Sequence, residues 1–157
     1  MSCELCSREI PNSRGENILF TTRQLSATKA LDLQVELINK LGNSVFPLIE
    51  GRYNFFDLVK LMAQADNKTI VELIKRVVSS ANKDGKELIP ALFDIEFNGE
   101  LMLVCKLFAF VLEANFKSFF MQGVEMNEQF KLAEAEILKA EELKSRQATN
   151  SSENSPT

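Results

Sequence analysis

Histidine is missing altogether from the 157 residues, tryptophan is missing too, and tyrosine occurs once. Without histidine the chain lacks the usual general base, the usual activator of a nucleophile and the commonest metal ligand. The six glycines stand apart in motifs, and neither GxGxxG nor GxxxxGK followed by Ser or Thr occurs, so no phosphate cradle is encoded. Runs of positive charge are also scarce. Lys75-Arg76 is the one adjacent basic pair and the net charge is −4, which argues against a nucleic-acid face. Three cysteines, Cys3, Cys6 and Cys105, are too few and too odd in number for a disulfide framework, and they point to a reducing compartment. Cys3-x-x-Cys6 is half of a zinc site, but no second pair completes four ligands. Long hydrophobic runs are absent as well. The densest, residues 101–112, contains Lys106 and falls short of the roughly 20 apolar residues that span a bilayer. Residues 1–15 are polar and have no signal-peptide core. The expectation is a chain that is not an enzyme, with no cofactor, no metal, no nucleic acid and no membrane partner.

What is present is phenylalanine, 12 of them, within 45% hydrophobic and 25% charged residues. This is the composition of one globular domain whose aromatic burial needs no hydrogen-bond partners. Residues 16–22 alternate like a strand, with Ile18 and Phe20 on one face, and Arg8-Glu9-Ile10 can pair with them as a short hairpin. Ser26 is placed as the N-cap of a helix that ends at Gly42 and carries a stripe through Ala27, Ala30, Leu31, Leu33, Val35, Leu37, Ile38 and Leu41. An apolar knot follows at Val45, Phe46, Leu48 and Ile49. Helical spacing resumes at Phe55, Leu58, Val59 and Met62, ends at Asp66-Asn67, and returns at Ile70, Leu73, Ile74, Val77 and Val78. Residues 82–85 read as a plain turn, and 87–96 as partly helical with Pro90 in the first turn.

Residues 100–120 form the longest apolar helix, greasy around nearly its whole circumference and hence central. After Gly123 the composition turns charged, predicting an exposed helix with a narrow stripe of Phe130, Ala133, Ile137 and Ala140. The Ser/Asn/Thr-rich end predicts a disordered tail. The fold class is therefore mainly α: a small helical bundle around a central apolar helix, with a short N-terminal β-hairpin and an extended C-terminal helix. The organisation is a polar segment at 1–15, a core domain at 16–123, a charged helix at 124–145 and a tail at 146–157.

The segment 92–120, LFDIEFNGELMLVCKLFAFVLEANFKSFF, is the distinctive one. Its Phe93-Asp94 pair, then Phe97 and Gly99, precede the long apolar helix, which closes on Asn115-Phe116 and Phe119-Phe120. With the alanine-leucine stripe of residues 26–33, this pattern resembles the tail assembly chaperones of long-tailed bacteriophages over roughly residues 16–121. The Cys-x-x-Cys stretch, the acidic Ile95-Glu96 and the charged helix after Gly123 depart from the family pattern. The resemblance implies a protein that binds the tape measure protein, keeps it soluble and promotes tail-tube assembly, with the tail-tube protein as a further partner. It also implies action in the host cell cytoplasm, absence from the mature virion, and a longer frameshifted form. The partner-binding candidates are Phe116, Phe119, Phe120 and Met121 at the end of the core helix, with Phe130 and Ile137 beyond. Competing readings are a small membrane-active phage protein, motivated by residues 101–112, and a helical protein that self-associates through residues 127–144.

Overall fold

Phe20 has no exposed surface, and its burial organises the N-terminal hairpin. The structure, a computed structural model, describes residues 4–153. Strands β1 (Leu5–Pro11) and β2 (Asn17–Arg23) pair antiparallel from Leu5↔Arg23 to Pro11↔Asn17. Ile18, Phe20 and Thr22 share the inward face of β2, as alternation requires. Leu5–Pro11 is thus the edge strand of this hairpin, longer than the three-residue pairing expected.

Residues 82–85 are more than a plain turn. β3 (Asn82–Lys83) and β4 (Lys86–Glu87) extend the sheet in the order β1-β2-β3-β4. Asp84 holds the join: its backbone N donates to Leu19 O at 2.8 Å, and its Oδ1 accepts from Leu19 N at 3.2 Å. Two-residue strands have no periodicity to read, so only the neighbouring β2 defines them.

Helix α1 (Ala27–Leu41) starts after Ser26 as expected, yet the Ser26 side chain makes no cap bond; its carbonyl accepts from Ala30 N at 2.8 Å. Of the expected stripe only Leu37 and Leu41 are fully buried, while Leu31, Val35 and Ile38 remain exposed. A 3-10 turn (Gly42–Val45) and the short α2 (Phe46–Glu50) fold the apolar knot into the core through Val45, Leu48 and Ile49.

Helix α3 (Phe55–Met62) opens with a reciprocal capping box. Asp57 N donates to Asn54 Oδ1 at 2.9 Å and Asn54 N donates to Asp57 Oδ2 at 2.8 Å. Asp66, read from sequence as a helix end, is the N-cap of α4 (Asn67–Val78) and accepts from Thr69 N. Ile70, Leu73, Val77 and Val78 face inward as their spacing predicted. A 3-10 turn (Pro90–Leu92) and α5 (Phe93–Phe97) lead to Gly99, whose φ of +78° turns the chain into the last helix.

Helix α6 runs from Leu101 to Glu153. Leu103 to Leu112 is buried almost without interruption, so this stretch is the central helix the composition demanded. The helix runs without interruption through Gly123, where the composition turns charged. The helix extends as far as Glu153, because propagation adds one backbone bond per residue fixed and needs no new nucleus. Residues 154–157 of the expected tail lie outside the described residues. The chain divides into a compact unit ending at Ser118 and a second unit beginning at Phe119.

Candidate functional site

The first unit carries an apolar groove. Met62 from the end of α3, Ile70, Val71 and Ile74 from α4, Phe93 from α5 and Leu101 from α6 line a space of about 370 Å³. Lys75 places its Nζ 5.3 Å from the Phe93 ring centre, and Phe93 lies 5.1 Å from Phe97, which is buried. At the floor, burial pushes the Cys105 thiol above its ordinary pKa, so it is protonated at neutral pH and a poor nucleophile. A second hollow, of about 420 Å³, is lined by polar side chains including Thr21, Gln24 and Asn82. Among the described residues no group of three or more His, Cys, Asp or Glu comes together to hold a metal. Cys3 lies outside the described residues, and Cys6 sits on β1 with its thiol pKa raised by burial.

Sequence reasoning missed the groove because its walls come from four helices, each contributing only one or a few residues. Of the helical repeat Phe55, Leu58, Val59 and Met62, only Leu58 is buried, and Leu61 is the other inward position of α3. Phe55 and its neighbour Phe56 are both exposed, Phe56 at 78%. Two consecutive phenylalanines on a helix cannot share one face, so the pair itself was a signal of surface aromatic.

The six partner-binding candidates do not behave alike. Phe116, in the first unit, is 2% exposed and belongs to the core. Its position follows from the 3-4 repeat of Cys105, Phe108, Leu112 and Phe116 along the buried face of α6. Phe119, Met121, Phe130 and Ile137, all in the second unit, are exposed by more than half. Phe120 is half-buried, its ring edge-on to Phe119 at 5.5 Å. Every described side chain from Val124 to Thr149 is exposed.

The second unit therefore presents a helix with large apolar groups on its surface. Phe119, Gly123, Met126, Phe130, Ala133, Ile137 and Ala140 recur at alternating steps of four and three, which aligns them along one face. Leu132, Leu138 and Leu143 are also exposed, off this line. Contiguous exposed apolar surface on a folded protein is a candidate interaction surface.

Two further residues of the 92–120 segment have clear structural work. Asn115 Oδ1 accepts from Leu25 N at 2.8 Å, while its Nδ2 donates to Val111 O at 2.9 Å. The asparagine thus ties the β2–α1 connection to α6. Gly99 takes the left-handed conformation before α6, and Glu100 N donates back to Phe97 O at 2.9 Å. The polar signposts of the segment hold the fold together, while the client-facing candidates are apolar.

Residues 16–130 match a family model described as phage tail assembly chaperone protein, TAC. No curated protein and no solved structure matches the chain.

Proposed function

The chain belongs to the phage tail assembly chaperone family, and on that premise we propose that it binds the tape measure protein of its phage, keeps it soluble and promotes tail-tube assembly. The carrying observation is the uncovered line Phe119, Met126, Phe130 and Ile137 on the second unit. A long helical client needs a long face. From Phe119 to Ala140 a helix rises about 32 Å at 1.5 Å per residue, whereas the groove of the first unit accommodates only one or two side chains.

The magnitudes suit a transient partner. Burying one large apolar side chain contributes about 1.5–3 kcal/mol. Four of them, offset by the several kcal/mol lost on association, leave weak, reversible binding, roughly millimolar to micromolar in strength. Catalysis has no part in this reading, and the place of action is the host cell cytoplasm, with the protein absent from the finished virion. The tail-tube protein is a further partner of the same assembly step.

Among the described residues no helix is long and apolar enough to cross a membrane, and residues 101–112, which motivated the membrane-active alternative, are mostly inside the first unit. Self-association through the second unit is the other competing reading, and its seam is the same line of residues.

Co-expression tests the proposal. The tape measure protein should move from the insoluble to the soluble fraction and co-purify with this chain. If it stays as insoluble as it is alone, the reading fails.

A further inference from the structure

The charges beside the apolar line of the second unit are all of one sign. With Gly123, Phe130 and Ile137 at one seam position and Phe119, Met126, Ala133 and Ala140 at the other, the flanking positions are Phe120, Gln122, Asn127, Gln129, Glu134, Glu136, Glu141 and Leu143. Three are carboxylates and none is basic. Lys131, Lys139 and Arg146 fall outside both flanks, on the far side of the helix. Lys144 stands at the end of the line itself. Among the described residues, no salt bridge engages Glu134, Glu136 or Glu141, although Lys131, Lys139 and Lys144 each lie three positions from one of them.

Flanking charges choose the partner of such a seam. Against a second copy in parallel register, Glu136 of one helix meets Glu141 of the other. In antiparallel register the flanks again bring acid against acid or amide. No register pairs a flank carboxylate with a flank lysine. Building on the client-binding reading of this helix, we propose that the face takes a client helix whose own apolar stripe is bordered by lysine or arginine, and that it rejects a second copy of this chain.

The test uses the full chain and two synthetic helical peptides with identical leucines at the seam positions, one flanked by lysine and one by glutamate. The lysine-flanked peptide should bind at least tenfold more tightly at 50 mM NaCl, with the gap closing at 500 mM NaCl. The triple variant E134K/E136K/E141K keeps good helix formers at every site and should reverse the preference. Equal binding of both peptides, or a preference that survives the triple reversal, would overturn the charge selection. So would a wild-type dimer that the triple substitution disperses. Wild type and triple variant solubilising the tape measure protein equally, with peptides unselected, sinks the charge selection while the chaperone reading stands. Peptide selection without any solubilisation supports the acidic face and sinks the tape measure reading.

Discussion

Arg8 on β1 and Glu113 on α6 meet at 2.8 Å although 105 positions separate them in the chain. The same guanidinium lies 4.9 Å from the Phe110 ring centre, and Lys117 approaches the other Glu113 oxygen at 3.5 Å. Ser13 adds a second tie, donating from its backbone N and Oγ to Glu100 at 2.9 and 2.6 Å. With Asn115 bonding Leu25 in the connection that follows, the N-terminal segment is tied at three levels to α6 and to Glu100 just before it.

Acid should loosen this clasp. Burial disfavours the Glu113 carboxylate, but the Arg8 hydrogen bond and the charges of Arg8 and Lys117 outweigh it and hold its pKa below the usual carboxylate value. Glu36 is held low as well, by hydrogen bonds from Arg76 and Lys40. Depressed folded-state values mean that the unfolded chain binds protons first as the pH falls. The stability these groups contribute is therefore present above the ordinary carboxylate value and lost as the pH drops through the folded ones. Denaturant midpoints at pH 7, 5, 4 and 3 should fall below pH 5, and Glu113→Gln should flatten part of that fall.

Gly51 should not tolerate a side chain. Its φ is +75°, and a Cβ there would lie 2.9 Å from Glu113 Oε1. Gly51→Ala combines left-handed strain with displacement of the carboxylate from Arg8, and about 1–2 kcal/mol of stability should be lost. In a double-mutant cycle with Arg8→Met the two losses should be less than additive, because both act on Glu113.

Asn115→Ala should destabilise by about 1–3 kcal/mol, since the part-buried Leu25 N loses its acceptor. Asn115→Asp keeps the acceptor and should recover part of that loss, as read by urea unfolding.

Phe116 and Phe130 separate core from surface. Phe116→Ala empties a buried site and should cost about 3–5 kcal/mol. Phe130→Ala, at 63% exposed, should change stability by no more than about 0.5 kcal/mol. It should nonetheless lower the yield of soluble tape measure protein on co-expression. A Phe130→Ala protein that solubilises the client as well as wild type would remove Phe130 from the docking face.

The helices were legible where their spacing was regular: α4 buries Ile70, Leu73, Val77 and Val78, and the greasy stretch of α6 lies at the centre. The hairpin could be read from the alternation of β2 and the turn residues that precede it. Phe119, Met121, Phe130 and Ile137 could be picked out as surface candidates because the charged residues around them leave no room for a second buried face. Composition also excluded histidine chemistry outright. These are consequences of residue type and local period, which the chain carries wherever it goes.

Other features depended on packing. Phe116 and Phe119 are three positions apart and chemically identical, yet one is sealed and the other is open. Leu31, Val35 and Ile38 have the spacing of a core stripe and remain at the surface. The groove of the first unit, the β2–β3 pairing and the Arg8–Glu113 pair join residues far apart in the chain. Which member of an apolar series is covered depends on how far neighbouring elements extend along it, and that is a property of the assembled fold, not of any window of sequence.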